Sequence, residues 1–236
     1  VPIQAAMACA GLGLMLGSWI ASEVSRGRIE VGLISIGAFG VAGSALVIPL
    51  FDSLLAHSLA FVALGTLGAM FIVPLNSLIQ YHAKPDERSS VLAANNFVQN
   101  IVMLAFLALT VISAKMGVDS KSLLIFMVGV AVVGAFYCVY KAPQSLVRFI
   151  VSEIFSLKYR LQVVGFDRIP EQGGVLLLGN HISWIDWAIV SMASPRPVRF
   201  VMARAIYEKW YLRWFLDFFG CIPIAPGNYK NALADV

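Results

Sequence analysis

The sequence predicts a bundle of five membrane-spanning helices running into part of an α/β domain, and three observations predict it. Of 236 residues, 59% are hydrophobic and only 13% charged, with a mean hydropathy of +0.82; soluble domains are nearer half apolar and a quarter charged. The apolar residues are gathered into five long runs within residues 1–140. After Tyr140 the texture changes to short apolar runs divided by turn residues. A chain of this length cannot enclose a soluble core large enough to absorb so much apolar surface.

The runs cover residues 1–22, 31–51, 58–81, 89–114 and 122–140, and none contains Asp, Glu, Lys or Arg. At ~1.5 Å per helical residue each reaches about 30 Å, the thickness of the hydrocarbon layer. Basic residues in the breaks give an orientation. Arg26 and Arg28 lie in the first, Lys84 and Arg88 in the third, and Lys141 and Arg148 follow the last run. The second break has neither Lys nor Arg, while the fourth holds Lys115 and Lys121 against the trend. The positive-inside rule therefore places Val236 on the cytoplasmic side and Val1 outside. The chain opens Val1-Pro2-Ile3 with no basic n-region, so a signal peptide is not expected and the start reads as a cut through a longer protein.

Pro143 opens a segment, 144–160, in which Leu146, Val147, Ile150, Val151, Ile154 and Phe155 recur at helical spacing. It predicts a helix lying in the membrane interface or under the next domain. β-like runs are expected at 161–164, 175–178 and 198–202, with turn signals at Arg168-Ile169-Pro170 and Gln172-Gly173-Gly174 and a helix between the second and third runs. That order suggests a βαβ-like unit. The expected domain runs from 142 to 236 and stops before a complete core can form, after the five-helix domain at 1–141. Cys9, Cys138 and Cys221 match no disulfide or zinc spacing, and no metal site is expected. The net charge of +4 suits a protein lying against anionic lipid, and nucleic acid is not an expected partner.

The chemistry concentrates between Asn180 and Asp186. An apolar run, Val175-Leu176-Leu177-Leu178-Gly179, delivers His181 and, five residues on, a carboxylate. On a regular helix residues five apart point ~140° away from each other, so the two meet only if the chain turns between them. In such a turn Asp186 accepts a hydrogen bond from one imidazole nitrogen and leaves the other free to take a proton from a substrate hydroxyl. That is the base and orienter of a serine-hydrolase triad, with the substrate supplying the nucleophile. Ser183-Trp184-Ile185-Asp186 also fits a helix capping box, with Ser183 as N-cap and Asp186 reaching back. The local pattern leaves both readings open.

Asn180-His181-x-Ser183-x-x-Asp186 after an apolar strand resembles the first motif (His-x4-Asp) of the glycerophospholipid acyltransferase family. Tyr159-Arg160-Leu161-Gln162-Val163-Val164-Gly165 with Ile169-Pro170 ahead, and Arg196-Pro197-Val198-Arg199-Phe200-Val201-Met202 behind, agree with it. The resemblance implies that His181 is the base and Asp186 its support, with Asn180 and Ser183 beside the substrate. The acceptor is then a glycerol hydroxyl of a lysolipid or of glycerol phosphate. No bound cofactor is implied; the donor is a coenzyme A or acyl-carrier-protein thioester, which makes acyl carrier protein a candidate partner. The family's second block has an arginine for the acceptor phosphate. Gly220-Cys221-Ile222-Pro223-Ile224-Ala225-Pro226 lacks it, which leaves Arg199 and Arg204 as candidates. The third block, of Phe-Pro-Glu-Gly type, would be expected beyond Val236.

The aromatic stretch 206–219, with Trp210, Tyr211, Trp214, Phe215, Phe218 and Phe219, reads as a packed amphipathic helix and also suits the headgroup zone. Within the apolar runs lie amides, Asn76 and Gln80, then Asn95, Asn96, Gln99 and Asn100, and a mid-span proline, Pro74. Amides in a bilayer need partners or a cavity, so these either bind helices together or line a transport pathway. Gly11, Gly13, Gly17, Gly65 and Gly68 are expected to admit close helix packing. The stretch from Gly68 to Gln80, followed by Asn96-Phe97-Val98-Gln99-Asn100, resembles the lysophospholipid transporter branch of the major facilitator superfamily. Gly17 through Arg28 occupies the place of that superfamily's loop signature, with Ala21 at its usual acidic position. The resemblance implies the last five helices of a major facilitator-type fold. Transporter followed by acyltransferase is an order similar to the fused lysophospholipid transporter and 2-acylglycerophosphoethanolamine acyltransferase proteins of the bacterial inner membrane. Two other expectations stand beside it. One is a transporter whose second part only docks or regulates; the other is an acyltransferase on an inert helical anchor.

Overall fold

The computed structural model describes residues 2–26, 28–51, 53–165, 168–170, 173–183, 185–194, 196 and 198–225. Gln172 of the expected turn, Trp184, Pro197 and Pro226 of the motifs, and Val1 and 227–236 at the ends lie outside the described residues. The chain divides into two compact units, Val1–Leu146 and Val147–Val236.

In the first unit five helices are long and apolar enough to cross a membrane, a composition compatible with a membrane bundle. They are α1 (Pro2–Val24), α2 (Gly32–Val47, continued by a 3-10 turn at Ile48–Leu50), α3 (Leu54–His82), α4 (Arg88–Lys115) and α5 (Ser120–Lys141). Each apolar run became one helix, and the breaks became their ends. The hydroxyl of Ser53 caps α3 by accepting from Ala56 N–H at 3.1 Å, and the Asp119 carboxylate caps α5 by accepting from Ser122 N–H at 3.2 Å. α4 stops at Gly117, whose φ of +78° lets Val118 N–H reach back to Ser113 O at 3.0 Å and Gly117 N–H to Ala114 O at 3.2 Å. At 29 and 28 residues, α3 and α4 are ~40 Å long and exceed the hydrocarbon layer, so they tilt or carry their ends into the headgroup region.

α1 and α2 both pack on α3, and α2 also on α5, where Phe39 meets Phe136 edge-on at 5.2 Å. The α1–α3 seam is built on glycine. A Cβ at Gly13 would lie 2.2 Å from Val62 O, at Gly17 2.1 Å from Thr66 O, and at Gly65 2.1 Å from Ala10 O. Gly11 and Gly68 lack this role: nothing lies within 4 Å of the first, and the second would make only an ordinary contact with Val41 at 3.9 Å. Backbone carbonyls cannot step aside as a side chain can. Gly17→Ala is therefore expected to push α1 off α3 and cost about 3 kcal/mol, the upper end for an overpacked core. Gly11→Ala should be close to neutral, and unfolding midpoints of the two full-length variants in detergent would check the difference.

α4 has no buried residue and only marginal contact with α3 and α5. The amides it carries are exposed, apart from half-buried Asn95; Asn76 on α3 is half-buried and Gln80 exposed. Among the described residues no hydrogen bond joins the α3 amides to those of α4, and Asn100 Nδ2 donates instead to Asn96 O at 2.9 Å. α3 continues through Pro74, which is fully buried.

The second unit departs from the sequence expectation in its strands. α6 (Pro143–Ser156) ends before residue 160, in a last turn where Lys158 and Tyr159 N–H both reach Phe155 O. Residues 161–164 and 175–178 are not strands, because among the described residues no neighbour supplies a ladder for them. α7 (Asp186–Ala193) follows, then β1 (Val201–Ala203), the tail end of the run expected at 198–202. After α8 (Arg204–Tyr207) and α9 (Trp210–Phe218) comes β2 (Ile222–Ile224). β1 and β2 pair in parallel, Val201 opposite Ile222 and Ala203 opposite Ile224. The βαβ unit thus exists one step later than expected: its first strand is the expected third run, and its crossover is the aromatic segment.

Candidate active site

The chain between Gly179 and α7 makes a turn centred on one carboxylate oxygen. Asp186 is the first residue of α7, and its Oδ2 accepts from Ile182 N–H at 2.8 Å and from Ser183 N–H at 2.9 Å. The same oxygen lies 2.8 Å from His181 Nδ1. The geometry holds the contact that the first reading needs and one half of the capping box. Asp186 reaches back to Ser183 as a capping carboxylate does, and in doing so gathers His181. The other half of the expected capping box is absent: the residue preceding the helix is Ile185, and Ser183 Oγ accepts only a long bond, 3.4 Å, from Ile185 N–H.

The electrostatics follow from the geometry. The Ser183 amide, then the Ile182 amide, hold the Asp186 carboxyl below its ordinary value of 3.8; burial opposes them, and His181 adds a smaller downward push. Its place in the first turn of a helix acts in the same direction. Because the backbone does most of this work, Asp186 stays ionised whatever the state of His181. An ionised carboxylate only accepts, so Nδ1 carries the hydrogen of this bond, and in the neutral ring Nε2 is the nitrogen with the lone pair. The His181 side chain is 78% exposed, against 27% for Asp186. A reachable imidazole nitrogen, oriented from behind by a fixed anion, is a general-base arrangement.

The neighbouring helix supports the turn. Trp187, next to Asp186, packs edge-on against Phe215 of α9 at 5.4 Å and tilted against Phe219 at 5.5 Å, and those two rings meet each other tilted at 4.7 Å. The far side of α9 leaves Trp210 and Trp214 exposed; the amphipathic helix expected over 206–219 is confined to α9, because the chain is extended at Lys209 after α8, and its packed face is toward α7. Tyr207 hydrogen-bonds Asp217 and ties α8 to α9; that carboxylate raises the phenol above its ordinary value. Trp187→Ala is expected to cost about 2 kcal/mol, less than a fully buried tryptophan because the ring is half-covered, and chemical denaturation of the full-length protein would measure it.

Of the other residues expected at the site, Asn180 is exposed beside His181. Arg204 is paired with Glu208 at 2.9 Å. Arg199 runs beside Gly220, where a Cβ would lie 3.9 Å from its Cγ and Nε; Gly220 itself has a φ of +62°. In the β1–β2 register these two arginines flank opposite ends of β1, Arg199 before it and Arg204 after it. Among the described residues neither bonds to the His181–Asp186 turn, and no group of three or more His, Cys, Asp and Glu side chains could hold a metal ion. The sequence reading passed over the amides of Ile182 and Ser183, Trp187 and Arg196. Only Trp187 and Arg196 left any signal, as a large aromatic and an arginine within the motif stretches.

Residues 160–236 match the family model described as Acyltransferase. The match supports an acyltransferase domain over that segment and, in general terms, acyl transfer. No solved structure matches the chain.

Proposed function

We propose that this protein re-acylates lysophospholipids at the bacterial inner membrane, with residues 142–236 carrying the chemistry on the cytoplasmic side. The observation that carries the reading is the 2.8 Å bond from His181 Nδ1 to Asp186 Oδ2, with the carboxylate anchored by two backbone amides and the outer imidazole nitrogen exposed. His181 Nε2 takes the proton of a lysolipid hydroxyl as its oxygen attacks the carbonyl carbon of a thioester. The imidazolium formed is stabilised by Asp186. Collapse of the tetrahedral intermediate expels the thiolate of coenzyme A or acyl carrier protein, which takes up the proton, and leaves a diacyl lipid. The acceptor is a 2-acylglycerophospholipid acylated at its free 1-hydroxyl. Asn180 and Ser183 border the reacting groups, and Arg199 or Arg204 meets the acceptor phosphate. Of the two, Arg199 has no ion-pair partner among the described residues, whereas Arg204 must exchange Glu208 for the phosphate.

The five long helices at 1–141 are the closing part of a major facilitator-type transporter that brings the lysolipid across, with Asn76, Gln80, Asn95, Asn96, Gln99 and Asn100 along its pathway. What supports this is five apolar helices, two of which, α3 and α4, carry amides that no hydrogen bond joins from one helix to the other among the described residues. A lysolipid delivered to the inner leaflet is then consumed by the same polypeptide. The test uses the full-length protein in proteoliposomes with radiolabelled thioester donor and lysophosphatidylethanolamine. Label entering diacyl lipid in the wild type and not in His181→Ala, with lysolipid translocation intact in both, supports the reading. No transfer by the wild type removes the enzymatic half and leaves the second part as a docking or regulatory segment.

A further inference from the structure

Arg196 makes two hydrogen bonds unlike any other described near the site. Its Nη1 donates to Pro170 O and its Nη2 to Gly173 O, both at 2.7 Å and across 26 and 23 residues of chain. By contrast, the bonds of the His181–Asp186 turn span five residues or fewer. Both ends of this link are placed by structure. At one end Ser194, 2% exposed, closes α7 by donating its N–H to Val190 O at 2.9 Å. Its hydroxyl accepts from Arg196 N–H at 3.2 Å and donates to Arg196 O at 2.8 Å. The guanidinium therefore leaves from a fixed point at the end of the helix that Asp186 begins. At the other end, Pro170 and Gly173 open the stretch that runs to His181.

That stretch has little else to hold it. Residues 173–180 have no ladder hydrogen bonds among the described residues, and burial does not fix them either: Leu176 is 68% and Leu178 88% exposed. His181 thus hangs between the Asp186 turn behind it and the Arg196 link ahead of it. We propose that Arg196 is a positioning residue that closes residues 170–196 into a loop and sets where His181 stands; this rests on the acyl-transfer reading above. One N–H of each terminal nitrogen is spent on these two carbonyls, which turns the fork of Arg196 toward the loop. A planar guanidinium bridges two carbonyls with charge-assisted bonds, which an ammonium cannot reproduce at both points.

The experiment uses full-length protein in proteoliposomes, with Arg196→Gln and Arg196→Lys, reading acyl transfer to lysophosphatidylethanolamine and hydrogen exchange of the amides in 174–183. Expected for Arg196→Gln is a fall in kcat of about tenfold to a hundredfold, the scale of a misplacement near 1 Å, with KM for the lysolipid held and faster exchange in 174–183. Arg196→Lys, which keeps the charge and one bond, should recover part of both. Wild-type kcat in Arg196→Gln, unchanged exchange, or a rise in KM alone would each overturn the proposal, the last by making Arg196 a lipid ligand. Should the wild type transfer no acyl chain, the reaction reading fails by itself; exchange then decides alone whether Arg196 holds the loop.

Discussion

Replacing His181 by alanine is expected to lower the rate of acyl transfer by about 10²- to 10⁴-fold, the contribution of a positioned general base, while leaving the protein folded. The two halves of that expectation have separate causes. The imidazole is mostly exposed, and its one described hydrogen bond runs to a carboxylate that two backbone amides already satisfy. Removing the ring therefore strands no buried group and opens no cavity. The lysolipid hydroxyl, with a pKa far above neutrality, is left without a proton acceptor. Steady-state rates with the radiolabelled donor and a thermal unfolding curve on the same sample would check both. A large loss of stability accompanying the loss of rate would mean that His181 holds the turn together.

The second large effect is expected from Asp186→Asn, a fall of about 10²-fold or more in kcat, the scale seen when a buried orienting carboxylate is made neutral. An asparagine oxygen can still accept from the Ile182 and Ser183 amides, so the turn survives. It cannot stabilise the imidazolium, and its NH₂ competes for the wrong face of the ring. Asp186→Ala should differ in kind, since it also leaves both amides without their acceptor and frees the turn. The pH dependence carries a sign. Asp186 is held below its ordinary 3.8, most by the Ser183 amide. Its support of the turn is thus fully present above that value and lost only as pH falls through the lower, folded-state value. Exchange protection of the Ile182 and Ser183 amides should persist down to the ordinary carboxyl value of 3.8 and fail in the wild type only below it. In Asp186→Asn the same protection should show no such step. Any loss of activity between pH 5 and 8 then belongs to a group other than Asp186.

The five long helices and the His181–Asp186 pair differ in how they could be read from sequence. Five uncharged runs long enough to span hydrocarbon leave the backbone one means of satisfying itself, so each became a helix within a few residues of its expected ends. His181 and Asp186 were legible as a pair because their spacing demands a turn, and a turn before a helix offers a carboxylate few other places to go. The runs at 161–164 and 175–178 misled for the opposite reason. A strand needs a partner supplied from elsewhere in the chain, and apolar residues alone do not say whether one is present. The parallel partner of β1 is instead Ile222–Ile224, a segment containing Pro223, which reads as a poor strand.

The sequence by itself determined where the chain is apolar enough to cross a membrane, where that character ends, and that His181 and Asp186 can meet across a turn. These are properties of composition and short spacing, and they need no knowledge of neighbours. Only the tertiary structure decided that Gly13, Gly17 and Gly65 face carbonyls while Gly11 and Gly68 do not, and that one oxygen of Asp186 serves two amides and His181 together. It alone placed Trp187 on α9 and Arg196 across the loop. Each of those depends on which atoms lie opposite a residue at distances of a few ångströms, and chain segments far apart in sequence set those distances.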